Sequence, residues 1–132
     1  MITRTTRLLL VVASLLLAAG AAVHALAFRI ALPVVDASGL PRFYLGSFKS
    51  LWLLDSITQL VVTAILAAIL LKQLPPSRGL LWLLAVIPVA TGAMLYAFLG
   101  PFAPEYVFLI TAVLLVAAGW RVPPYRAASL SQ

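Results

Sequence analysis

Four stretches of this chain, residues 8–30, 50–71, 80–99 and 104–120, run almost without charge for the length of a bilayer crossing. A hydrocarbon core about 30 Å thick is spanned by roughly 20 apolar residues in an α-helix. Lipid offers no partner for a backbone N–H or C=O, so a spanning segment must satisfy those groups itself or close into a barrel. None of the four stretches alternates polar with apolar residues as a barrel strand does. The expected fold is therefore all-α: an antiparallel four-helix transmembrane bundle forming one membrane domain over residues 1–132. Composition agrees, because 64% of the residues are hydrophobic and only 9% charged, whereas charged residues make up about a quarter of a soluble chain.

The breaks between spans carry their own chemistry. In "KQLPPSRG" two prolines end one helix, and Ser77 stands where it can cap the next. "GPFAPE" is a tight turn, with Pro104 suited to a first helical position. The only long connection is residues 31–49, where Pro33, Gly39, Pro41 and Gly46 rule out one continuous helix. Its "PRFYLGSF" is too apolar for a free loop, and is expected to lie along the membrane surface with its aromatics at headgroup depth.

The net charge of +6 would point to nucleic acid in a soluble protein; here orientation accounts for it. With the N-terminus inside, the inner face holds Arg4, Arg7, Lys72, Arg78, Arg121 and Arg126, and the outer face Arg29, Arg42 and Lys49. That asymmetry gives N-in/C-in, both termini cytoplasmic. All three acids, Asp36, Asp55 and Glu105, then fall toward the outer side, and the excess positive charge faces anionic headgroups at the cytoplasmic leaflet. Arginine-rich, alanine- and leucine-rich usage is associated with GC-rich bacteria, which makes the inner membrane the expected location. Nucleic acid is not an expected partner.

The first span poses a choice. "MITRTTR", a short apolar core and "AAVHALA" ending at Ala27 have the order of a cleavable secretory signal. The apolar run is nevertheless long enough to span, and its small residues share a face. Ala13, Gly20 and Ala21 fall with His24 and Ala27 at helical offsets, a stripe that lets another helix approach closely. A retained helix is the expectation.

Rise per residue places the polar groups by depth. His24 and Tyr96 each lie about 24 Å from the inner edge, and Asp55 about 6 Å below the outer one. Gln59 lies a turn beneath Asp55, and Glu105 opens the fourth span. Ionisable groups in spans face a bundle interior or a water-filled cavity. His24, Asp55, Gln59, Tyr96 and Glu105 are therefore the candidate ligand or proton site. Four of them have a plainer reading: Asp55 pairs with Lys49, Arg42 or Arg29, His24 bonds helix to helix, Tyr96 belongs to the aromatic belt, and Glu105 complements a helix dipole.

What the chain lacks narrows the function. There is no cysteine, hence no disulfide and no thiolate metal site or nucleophile. One histidine cannot make a bis-imidazole haem, and no phosphate loop or His-Glu-x-x-His motif is present. No cofactor, metal site or catalytic group is expected. The leading expectation is a non-enzymatic membrane protein acting by association, as an accessory subunit or homo-oligomer. The alternative is a proton-coupled carrier or a small-molecule or lipid-binding protein with an outward-facing polar pocket. An enzyme acting on a lipid or quinone ranks third.

Overall fold

The computed structural model describes residues 2–101 and 103–123. They form four helices: α1 (Arg4–Asp36), α2 (Arg42–Leu70), α3 (Arg78–Leu99) and α4 (Ala103–Arg121). All four are long and apolar enough to cross a membrane. No strand occurs among the described residues. Arg126, counted above among the inner cations, lies outside them.

Local chemistry sets the helix ends. Thr3 caps α1, its side chain accepting from the Thr6 amide at 3.1 Å, and Ser77 caps α3 through the Leu80 amide at 3.1 Å. Gly100, at φ 73°, stops α3 and donates its N–H to the Tyr96 carbonyl. Glu105 in the first turn of α4 and Arg121 in its last both complement the helix dipole. The end of α2 is less ordinary. Lys72 donates to Ile69 O and Gln73 to Ala68 O, the paired bonds of a Schellman stop. That stop needs a left-handed residue, and Lys72 supplies it at φ 63°, at a cost of about 1 kcal/mol over glycine.

The connection between α1 and α2 is shorter than residues 31–49, and this corrects the sequence reading. Helix α1 continues to Asp36 and α2 begins at Arg42, so only residues 37–41 turn. Pro33 sits inside the last turn of α1, where its missing N–H leaves just the Arg29 carbonyl without its helical donor. Gly46 lies on an exposed helical face. The segment "RFYLGSF" forms the first two turns of α2 rather than a separate surface element.

Helix α1 packs on α2 and on α4, and α4 packs on α3; no other pair packs extensively. The order is therefore α2–α1–α4–α3. At the end where α1 begins, all four helices converge on one core. Leu10, Ala13 and Leu17 meet Val62, Leu66 and Ile69 of α2, Leu81, Leu84 and Ala85 of α3, and Leu115 and Ala118 of α4. The spacing of three and four residues on each helix is what puts these side chains on one stripe. In lipid such a core is held by close van der Waals packing, since burial there gains little over contact with acyl chains.

The same end carries Arg4, Arg7, Lys72, Arg78 and Arg121, and is called the basic end below. Here Arg78 closes α4. Its Nε donates to Gly119 O, and one terminal nitrogen to Trp120 O and Val122 O, each at 3.3 Å. Gly119 O also accepts from the Val122 amide at 3.1 Å, whereas Trp120 O and Val122 O lie where a helix terminus leaves carbonyls without helical donors. The guanidinium also lies 5.7 Å from the centre of the Trp82 ring. Gly119 makes room for that ring, as a Cβ there would sit 2.6 Å from Trp82 Nε1.

Lengths differ, and the difference falls at the opposite end. At 1.5 Å per residue, α1 (33 residues) and α2 (29) are about 50 and 44 Å long, against about 33 and 29 Å for α3 (22) and α4 (19). With the basic ends level, the α1–α2 hairpin extends past the α3–α4 turn. Lys49 Nζ lies 2.5 Å from Asp36 Oδ1 across this extension. Lys49 therefore serves Asp36 and is not the partner of Asp55.

Candidate functional site: a polar seam between the first two helices

Beyond the apolar core, the contact between α1 and α2 becomes polar. Gly20, His24 and Phe28 follow one another at four-residue steps along α1. Trp52, Ser56, Gln59 and Thr63 do so at three- and four-residue steps along α2. Because the helices are antiparallel, the two series meet in opposite order: Gly20 against Gln59, His24 against Ser56, Phe28 near Trp52.

His24 is held from three directions. Its Nδ1 lies 3.0 Å from Ser56 Oγ and 3.5 Å from Asp55 Oδ2. Its ring stacks on Trp52, with centroids 4.9 Å apart and planes 14° from parallel. Trp52 Nε1 in turn donates to the His24 carbonyl oxygen at 3.0 Å. With a hydroxyl and a carboxylate on its Nδ1 side, the ring is best served by a proton on that nitrogen. One face of the indole and its N–H thus bind the same residue on a neighbouring helix.

Asp55 extends the network downward. Gln59 Nε2 donates to its Oδ2 at 2.7 Å, so one carboxylate oxygen joins His24 to Gln59. Carboxylate on one side fixes the orientation of the amide, because only its NH₂ can face an acceptor-only group. The Gln59 carbonyl is consequently turned toward Gly20, where a Cβ would lie 2.6 Å from Oε1. That oxygen is buried and has no donor among the described residues. Gly20 is where α1 makes room for this side chain, while the neighbouring Ala13 and Ala21 are buried.

The five residues singled out by depth do not form one site. His24, Asp55 and Gln59 come together. Tyr96 is 57% exposed on α3, which packs on α4 and not on the seam. Glu105 is buried at the start of α4, its Oε2 without a hydrogen-bond partner among the described residues. No three of His, Asp and Glu lie close enough there to share a metal ion. Ser56 and Trp52, which the depth argument passes over, are in the site. Both were readable on α2, since residues 52, 56, 59 and 63 keep the spacing of a single helical face.

The chemistry open to this group is limited by its surroundings. Imidazole, hydroxyl, carboxylate and amide in sequence can share a proton or present a hydrogen-bonding edge. The side chains of His24 and Asp55 remain 31% and 27% exposed, so this edge is reachable from outside the seam. Toward the basic end the series stops at Thr63, whose hydroxyl is buried without a partner. From there the buried side chains of α1 and α2 are Leu17, Ala13, Leu10, Val62, Leu66 and Ile69 until Thr6. No polar route therefore runs along the buried α1–α2 seam to the basic end. Compared with protein-family models, curated proteins and solved structures, the chain matches none.

Proposed function

We propose that this protein is a multi-pass protein of a bacterial inner membrane, both termini cytoplasmic, that works by association as an accessory subunit or homo-oligomer. The observation that carries this reading is where the polar groups are spent: His24 of α1 meets Ser56 and Asp55 of α2 across the seam, and Gln59 bonds Asp55 along α2. Polar groups spent in this way join helices. They do not continue into a pathway through lipid. The orientation rests on the cations of the basic end against Arg29, Arg42 and the Asp36-paired Lys49 at the other. Membrane lipids are partners on this reading, with anionic headgroups at the basic end.

Crosslinking in native membranes tests it. Adducts larger than the monomer, either multiples of this chain or with a second protein, are expected at native abundance. Monomer alone at every expression level contradicts association.

One observation favours a second reading, a small-molecule or lipid-binding protein or proton-coupled carrier: the accessible edge of His24 and Asp55. Asp55→Asn and His24→Ala separate the two readings. Loss of assembly belongs to the first, and loss of binding or uptake at normal abundance and assembly belongs to the second.

A further inference from the structure

At the basic end, the chain leaving α2 and the start of α1 border a hollow of about 490 Å³, within the range of roughly 300–1,000 Å³ typical of small-ligand sites. Its lining joins two kinds of surface. Ile69, Leu70, Leu74 and Pro75 are apolar, and Arg7 and Lys72 bring two positive charges. Neither cation has a carboxylate partner among the described residues, and the chain's three acids all lie toward the other end of the helices. Lys72 is notable for its backbone. It occupies the left-handed position of the α2 stop, at φ 63°, where glycine is the residue of least strain.

We propose that this hollow binds the phosphate-bearing headgroup of an anionic phospholipid, with Arg7 and Lys72 on the phosphate and the apolar lining against the glycerol and upper acyl chain. Depth, charge and polarity all fit that occupant. The hollow lies where a span ends and headgroups begin, its charge is uncompensated, and its apolar side continues toward the hydrocarbon. The proposal rests on the membrane-spanning reading above and adds to it a defined site with a stated ligand class.

The backbone of Lys72 also supplies a clean variant. Lys72→Gly removes the charge while relieving the left-handed strain, so the fold is retained. The full chain is reconstituted into phosphatidylcholine vesicles carrying a trace of spin-labelled phosphatidylglycerol or spin-labelled phosphatidylcholine, and the motionally restricted fraction of each is read by electron spin resonance. The native protein is expected to prefer phosphatidylglycerol. Lys72→Gly and Arg7→Gln each lower the preference by about fivefold, the effect of one well-placed cation near a membrane surface. Arg4→Gln, an equal loss of charge outside the hollow, leaves most of it. Equal restriction of both lipids by the native protein overturns the site, as does a loss with Arg4→Gln as large as with Lys72→Gly. Restriction of neither lipid contradicts the membrane-spanning reading itself.

Discussion

Gly20→Leu is expected to lower stability by about 3 kcal/mol, the upper part of the range for forcing a large side chain into a closed contact. Already the first carbon of the new side chain would meet Gln59 Oε1 at 2.6 Å. The remaining carbons then press further on the same Gln59 side chain, whose amide carbon is already 3.7 Å from that Cβ position. Gln59 can withdraw only by breaking its 2.7 Å bond to Asp55, which strips the carboxylate of its amide donor. Gly20→Ala asks for less, because the amide end of Gln59 can give way by a small rotation, and about 1 kcal/mol is expected. Thermal unfolding in detergent, followed by circular dichroism, checks both. The ordering of the two variants is the informative result, since a stripe of small residues facing only lipid would tolerate either.

The second large effect belongs to Arg78. Arg78→Ala removes three bonds to carbonyls at and just past the end of α4 together with the contact to Trp82, and about 2–3 kcal/mol is expected from charged donors to such carbonyls. Arg78→Lys should recover only a part. A single ammonium cannot reproduce the planar fork that reaches Gly119, Trp120 and Val122 together. The same unfolding measurement serves, and hydrogen exchange should show the loss concentrated in the last turn of α4. A uniform loss of protection along all four helices would point to a role other than closing that terminus.

Much of this molecule could be read from its residues, and the failures share a cause. The four spans follow from apolar length, and the start of α3 at Ser77 and its stop at Gly100 from the local chemistry of a hydroxyl and a residue free to take positive φ. Pro33 and Gly46 mislead, because their helix-breaking tendency is a local property that tertiary contacts override. Inside a long hairpin a single lost backbone bond is tolerated, so the helices run on to Asp36 and start at Arg42. The ion pair followed from that error: once the turn is confined to residues 37–41, Lys49 faces Asp36 and is no longer available to Asp55. Depth alone could group His24 with Asp55 and Tyr96 but could not say which helices adjoin. The order α2–α1–α4–α3 keeps α3, and with it Tyr96, away from the seam. Lys72 was illegible for a different reason, as nothing in a lysine announces a left-handed backbone. The reach of Arg78 to Gly119, Trp120 and Val122 depends on the α3–α4 register, which no local pattern encodes.

The account turns on His24 and Asp55 being energetic partners that hold α1 to α2. A double-mutant cycle measures this directly: His24→Ala, Asp55→Ala and the double variant, each unfolded reversibly in the same detergent. A coupling energy of roughly 0.6–1.7 kcal/mol is predicted, the range found for polar contacts between membrane helices. Strictly additive losses would contradict the account, because the two side chains would then be neighbours without being partners.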